Sequence, residues 1–310
     1  MKIAVIGPGA VGCLLAFSFA EAGEDVLLVD YRPERVALIK EQGIRLQTPG
    51  GLSRRLPVPC GLPAEVGKCR LAIMAVKAHQ TQAAALGLPL LLAPGGIALS
   101  LQNGLGNLEA MTRVVGPEPL LAGITFLGVT RQDEGQILYA GQGEVIIGAP
   151  PGATVPAPEI EAVVALFQRS GFKCRSTSDI QSRLWDKLMI NAGINPLTAL
   201  LRVPNGVLPE LPEAWALAVA AAAEVQAVAR VQGLTVSGDP AERLLTVCRA
   251  TAKNRSSMLQ DVLAGRVTEI DSLNAQVAAR GAALKVPTPV NDFLTQLLKS
   301  LDASASLRVG

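Results

Sequence analysis

The first thirty residues constrain the fold most. Lys2–Ile6 is a short β-type run, Gly7-Pro8-Gly9-Ala10-Val11-Gly12 follows at once, and Cys13–Ala22 is an apolar stretch of helical length. A second strand over Asp25–Val29 then ends in Asp30. Strand, glycine loop, helix, strand and acid in that order make a dinucleotide-binding unit. Each glycine has its own reason: Gly7 permits the tight turn, Gly9 lets a pyrophosphate approach the backbone, and Gly12 lets the helix pack closely on the strand. The helix N-terminus would offer its unbonded backbone donors to the phosphates. The plainer reading is a tight turn that binds nothing.

The ribose end carries two opposed signals. Asp30 would accept a hydrogen bond from a 2'-hydroxyl, which favours NADH, whereas Arg32 would pair with a 2'-phosphate, which favours NADPH. Arg35 adds a second cation, and a solvated helix start would account for all three. Further strands over Arg70–Val76 and Ile97–Leu101 end in polar residues at the carboxyl edge of a parallel sheet, where doubly wound folds bind ligands. Lys77 there could meet a phosphate and Asn103 could reach the nicotinamide or a substrate; a surface lysine and an Asn-Gly turn are the structural alternatives. His79, the single histidine, has no carboxylate nearby in sequence and reads as a loop residue.

Leu121–Thr130, Gln136–Tyr139 and Gly143–Ile147 are β-type and predict an antiparallel extension of the sheet. Glu159–Arg169 reads as a helix and Phe172–Arg175 as a last strand, so the first domain closes near Ser178. Beyond it the pattern is helical. The expected class is α/β: a Rossmann-type doubly wound sheet over 1–178, then an all-α domain over 179–310. At 310 residues the chain is long enough for both cores.

The helical part opens on Leu184–Leu200, LWDKLMINAGINPLTAL. Lys187, Asn191 and Asn195 stand four residues apart, so each falls about 40° round from the last and the three form one polar stripe. Leu184, Leu188, Met189, Ile190 and Ile194 bury the remaining surface, which aims an ammonium and two amides into a cleft or a core. A substrate would partner them; so would satisfied polar neighbours. Pro196 predicts that the helix ends near Asn195. The second domain begins just before this helix, so a cleft that closes on binding is expected there.

Asn254–Asn274, NRSSMLQDVLAGRVTEIDSLN, is the other informative stretch. On one continuous helix Ser257 and Glu269 would lie about 18 Å apart on different faces. Ala264-Gly265 breaks that helix, and Thr268 with Asp271 three residues on resembles a capping box opening another, which would put Glu269 in its first turn.

Twenty-eight basic residues balance 26 acidic ones and only 3% of residues are aromatic. Neither a phosphate-tracking surface nor a base-stacking platform follows, which argues against nucleic acid. The five cysteines are scattered without a CxxC pair; reduced thiols in a cytoplasm are expected, and no metal site. Leu211–Val231 is Ala-rich but carries Glu213, Glu224 and Arg230, and reads as a buried helix rather than a membrane span. Whether that helix packs in a monomer or a homodimer stays open.

Taken together, GPGAVG, VKA at Val76–Ala78, QNG at Gln102–Gly104, the run from Trp185 to Ala199, PNG at Pro204–Gly206, and NxSSMLQD followed by TEID resemble the ketopantoate reductase family. The resemblance extends from the N-terminus to about Asn274. It implies reduction of ketopantoate to pantoate by NADPH, in pantothenate biosynthesis, with NADH an alternative because Asp30-Tyr31-Arg32 departs from the arginine usual after the second strand. It further implies Lys187 as the acid that protonates the carbonyl oxygen and Glu269 as the carboxylate that orients substrate or lysine. Asn103, Asn191, Asn195, Asn205 and Ser257 match substrate-contacting positions, and Lys77 a cofactor contact. The bare chemistry agrees: hydride added to a ketone leaves an alkoxide, and with His79 poorly placed a partly desolvated Lys187 is the best proton donor. Two other readings stand: a reductase of another short 2-keto acid, and a nicotinamide-sensing regulatory protein that does no chemistry.

Overall fold

A computed structural model describes residues 1–141 and 143–304. The last residues of the expected helical domain, 305–310, lie outside the described residues. The chain divides into two compact units: Met1–Gln102 with Asn107–Ile180, and Asn103–Gly106 with the chain from Gln181 onward.

Among the described residues the first unit holds twelve strands: β1 (Ile3–Ile6), β2 (Val26–Val29), β3 (Ile44–Gln47), β4 (Ser53–Leu56), β5 (Cys60–Gly61), β6 (Cys69–Met74), β7 (Leu92–Ser100), β8 (Leu120–Thr125), β9 (Gly128–Asp133), β10 (Gln136–Gly141), β11 (Glu144–Gly148) and β12 (Lys173–Ser176). Eight form one sheet in the order β12-β11-β8-β7-β6-β1-β2-β5. Strand β1 lies between β2 and β6 and is parallel to both, with Ile3 opposite Val26 on one side and Leu71 on the other. The sheet is buried on both faces, so its strands alternate between two cores rather than between core and water. Ile3 and Val5 enter one core with Leu71 and Ile73, while Ala4 and Ile6 enter the other with Ala72 and Met74.

The region 120–148 differs from the expected antiparallel extension. Strand β8 continues the parallel order beside β7, and only β11 turns antiparallel, against β8. Strands β9 and β10 leave for a second, four-stranded sheet, β4-β3-β10-β9. The helix Ala10–Glu21 explains why a second sheet is needed. Cys13, Leu14, Leu15, Ala16, Phe17 and Phe19 are all buried, which is too many for one apolar stripe. It packs with Ile3, Val5 and Leu71 of the large sheet and with Ile44, Leu46 and Ile137 of the small one in a single core. Each such side chain contributes about 1.5–3 kcal/mol on burial.

Among the described residues the second unit is helical, with helices over Ile180–Leu201, Pro212–Val231, Pro240–Ala250, Ser257–Leu263, Asn274–Leu284 and Pro289–Ala303. Pro212–Val231 is long and apolar enough to cross a membrane by length and composition. Its Ala218, Ala221, Val225 and Val228 are nonetheless fully buried in this unit. A Cβ on Gly193 would lie 2.9 Å from the Ala218 carbonyl oxygen, so the closeness of these two helices requires a glycine.

One expectation fails instructively. The helix does not end at Asn195; it runs through Pro196 to Leu201. Proline lacks the N–H that would bond the carbonyl of Ala192, four residues back. Asn274 supplies the missing donor: its Nδ2 lies 3.0 Å from that carbonyl oxygen. The same amide donates to Asn291 Oδ1 at 2.9 Å, and Asn291 in turn donates to Glu224 and to the Ala221 carbonyl. Glu224 also accepts the backbone N–H groups of Val290 and Asn291, each at 2.9 Å, and so closes the first turn of Pro289–Ala303.

Candidate active site

Strand β1 delivers the chain into Gly7, whose φ is +102°. A Cβ there would stand 2.6 Å from Val76 Cγ1 and 2.8 Å from the Val76 backbone nitrogen. At Gly12 it would stand 1.9 Å from the Gly7 carbonyl oxygen. These two glycines are therefore demanded by packing within the fold. Gly9 differs: a Cβ would meet only the Ala75 carbonyl oxygen, at 3.8 Å. Its missing side chain leaves open the outer face of the loop, where a phosphate would approach. Gly9 is the residue before the helix, and no side chain caps it, so the donors of Ala10 and Val11 are not met by a cap. Pro8 removes a competing N–H from the loop. The loop lies at the carboxyl ends of β1 and β6, where the strand order reverses, which is the ligand-binding edge of a doubly wound sheet.

The neighbouring loop is braced by Gln102, which the QNG motif had marked, together with Thr81 and Asn107, which the sequence had not signalled. Gln102 Nε2 donates to the Val76 carbonyl at 3.0 Å and to Thr81 Oγ1 at 2.6 Å, and the Thr81 hydroxyl donates to Asn107 Oδ1 at 2.8 Å. All three are buried. Lys77, half-buried, starts the short turn Ala78–Gln80, and His79 is exposed.

At the end of β2, Asp30 is not presented to solvent. Its side chain is 1% exposed and bound by both the Nε and the Nη2 of Arg35, the latter at 2.6 Å, and by the Tyr31 N–H at 2.9 Å. Burial alone would lower the Arg35 pKa, but the bonds to Asp30 outweigh it and raise it above the ordinary value. The outward cation is Arg32, 36% exposed, whose Nη2 lies 2.9 Å from Glu134 Oε1.

In the second unit Lys187, Asn191 and Asn195 share the helix Ile180–Leu201. Burial pulls the Lys187 pKa from 10.5 down to about 8, and the nearby charge of Glu269 opposes that fall. Glu269 is itself buried. The helix Ser257–Leu263 stops before Gly265, whose φ is +64°, as its sequence requires. The expected capping box does not form. The Thr268 hydroxyl and N–H both donate to Asp302 Oδ2, at 2.7 and 3.1 Å. Glu269 instead precedes a single 3-10 turn, Ile270–Ser272, and its carbonyl accepts from Ser272 Oγ at 3.0 Å. A carboxylate thirty-four positions away, absent from the local pattern, won that hydroxyl.

That turn also holds the segment that follows Asn103. The Leu105 N–H donates to the Ser272 carbonyl at 2.8 Å, and a Cβ on Gly104 would lie 2.1 Å from the same oxygen. Asn103–Gly106 thus belong to the same compact unit as Lys187 and Glu269, whereas β7 belongs to the other. Asn195 is buried. Asn205 is held by Thr251 Oγ1 at 2.9 Å and by its backbone bond to Asn254, while its own Oδ1 is buried with no hydrogen-bond partner among the described residues. Of the adjacent serines, Ser256 is buried, caps its helix through the Leu259 N–H and lies 2.8 Å from Thr198 Oγ1; Ser257 is exposed. Among the described residues no group of acidic, histidine or cysteine side chains is arranged for a metal ion.

Comparison with known proteins assigns both units to one family. Residues 3–152 match the family described as "Ketopantoate reductase PanE/ApbA", and residues 179–302 match "Ketopantoate reductase PanE/ApbA C terminal". The 2-dehydropantoate 2-reductase of Halobacterium salinarum is 34% identical over 300 residues, covering 96% of this chain and 98% of its own. That of Pyrobaculum aerophilum is 35% identical, covering 96% and 97%. Among solved structures, a PanE/ApbA family ketopantoate reductase from Ralstonia eutropha superposes with a TM-score of 0.89 at 30% identity, covering 99% and 100%. A D-mandelate dehydrogenase described with NADH and anilino(oxo)acetate superposes with a TM-score of 0.90 at 26% identity, covering 99% and 100%.

Proposed function

The chain belongs to the ketopantoate reductase family, and from that premise we propose that it is an NADPH-dependent 2-dehydropantoate 2-reductase, reducing ketopantoate to pantoate in pantothenate biosynthesis. The observation that carries this reading is Lys187: an ammonium whose pKa is drawn to about 8 by burial, opposed by the Glu269 charge, on the same helix as Asn191 and Asn195. A pKa near neutrality suits a group that must give up a proton during turnover.

The glycine loop fits a dinucleotide, because Gly9 leaves its face clear and the helix start is uncapped. Ala10, Val11 and Gly12 would hold the pyrophosphate through backbone donors, and Lys77 would add a cation. When bound, the nicotinamide supplies a hydride to the ketone carbon. The protein's share is the proton and the charge. Lys187 holds its proton at the carbonyl oxygen and passes it to the alkoxide as that charge develops, leaving a neutral amine that solvent reprotonates. Glu269 orients the ammonium, and Asn103, Asn191, Asn195, Asn205 and Ser257 offer neutral donors to the substrate's carboxylate and hydroxyl. The NADPH preference is supported by the ribose end. Asp30 is buried and occupied by Arg35, so the group facing outward is the cation Arg32.

A second reading keeps the chemistry and changes the substrate. The likeness to D-mandelate dehydrogenase favours a reductase of another 2-keto acid, with NADH. One experiment separates them: oxidation of NADPH and of NADH is followed with ketopantoate, pyruvate and phenylglyoxylate, for wild type and Lys187→Ala. Ketopantoate is expected to give the highest kcat/KM, and Lys187→Ala to lose about a hundredfold or more of it. Faster turnover of another keto acid would replace the substrate; full activity in Lys187→Ala would remove the lysine as acid.

A further inference from the structure

Glu134 sits in the two-residue turn between β9 and β10, about a hundred residues beyond the ribose end of β2 in sequence. Yet three arginines converge on it. Arg32 Nη2 lies 2.9 Å from Oε1, Arg131 Nη1 lies 3.3 Å from each carboxylate oxygen, and Arg35 Nη1 lies 3.6 Å from Oε2. Arg35 is already committed to buried Asp30. Arg32 is not: it reaches 36% exposure, and its Nε is buried with no hydrogen-bond partner among the described residues. An arginine held at one nitrogen and unpaired at another is half-way to the forked pairing that guanidinium makes with phosphate.

Resting on the nicotinamide-dinucleotide reading, we infer that Glu134 sets cofactor preference by standing in for the 2'-phosphate. Its carboxylate occupies the arginine that a 2'-phosphate would bind, and its charge repels that phosphate, while a 2'-hydroxyl brings no charge to be repelled or to compete for the arginine. The hairpin thus narrows the preference for the phosphorylated cofactor and keeps the unphosphorylated one usable. No bond is made or broken; the exchange is one anion for another on Arg32.

The test measures binding without turnover. Calorimetric Kd values for 2'-phospho-ADP-ribose and for ADP-ribose are compared in wild type, Glu134→Gln, Arg32→Ala and the double variant. Gln keeps the size and one acceptor but loses the charge. Two anions sharing one guanidinium repel across a few ångströms of partly exposed space, so Glu134→Gln is expected to tighten 2'-phospho-ADP-ribose roughly tenfold. ADP-ribose should stay within about twofold, since it brings no charge to that arginine. The gain should shrink in high salt and vanish when Arg32 is Ala. Equal tightening of both probes, no change in either, or a gain that survives Arg32→Ala would overturn the role of Glu134. Failure of the wild type to bind either probe would overturn the dinucleotide reading itself.

Discussion

Replacing Asn274 by Ala should destabilise the helical unit in a way that a second substitution can repair. Asn274 is wholly buried, and its one amide serves two buried acceptors, the Ala192 carbonyl at 3.0 Å and Asn291 Oδ1 at 2.9 Å. Each buried acceptor left without a donor costs about 1–3 kcal/mol, so Asn274→Ala should cost about 3 kcal/mol. The Ala192 carbonyl needs Asn274 only because Pro196 has no N–H. Pro196→Ala restores that donor. In the wild type it should be neutral to slightly destabilising, since the carbonyl is already satisfied and a rigid residue is lost, about 0.5–1 kcal/mol. In the Asn274→Ala background it should recover about 1 kcal/mol, giving a coupling near 1.5 kcal/mol between the two positions. Both tryptophans, Trp185 and Trp215, lie in this unit. Their fluorescence during urea unfolding therefore reports it directly, and the four proteins of the cycle can be compared at constant m-value. Additivity within about 0.5 kcal/mol would refute the account of how the helix tolerates its proline.

Two further outcomes follow from the site. The Lys187 pKa is lowered to about 8, and under the proposed mechanism this lysine must be protonated to reduce a ketone. The kcat/KM for reduction should therefore be flat below pH 8 and fall about tenfold per unit above it. The reverse oxidation should rise through the same pH. Glu269→Gln removes the charge that opposes the shift, so the limb should move to lower pH; a wild-type limb near the ordinary lysine value, or an upward move in the variant, would contradict the assignment. In the glycine loop, Gly12→Ala drives a Cβ to within 1.9 Å of a backbone oxygen that cannot yield, and should destabilise the first unit by more than about 2 kcal/mol. Gly23→Ala, whose Cβ would meet nothing within 4 Å, has only its φ of +79° to oppose it and should cost about 1 kcal/mol. Thermal unfolding of both variants checks the contrast, and equal losses would refute it.

What the sequence determined by itself was local in origin. The order of strand, loop, helix and acid marked the first unit, because each of its parts is fixed by residues a few positions apart. The four-residue spacing of Lys187, Asn191 and Asn195 put them on one helix, and Gly265 ended another, since periodicity and a positive φ are properties of a short segment. Tertiary structure decided what depended on a distant partner. Pro196 reads as a stop until Asn274, eighty-two residues beyond Ala192, brings that residue's carbonyl the donor the proline lacks. Thr268 reads as a cap until Asp302 takes its hydroxyl. Strands β9 and β10 read as one more edge of the sheet, but a helix apolar over more than one face needed a second cover. Asp30 and Arg32 read as rivals for a ribose, and only packing showed one buried beneath Arg35 and the other held by Glu134. In each case a buried polar group or an uncovered apolar face had to be satisfied, and the chain met the need from wherever the fold brought a partner close.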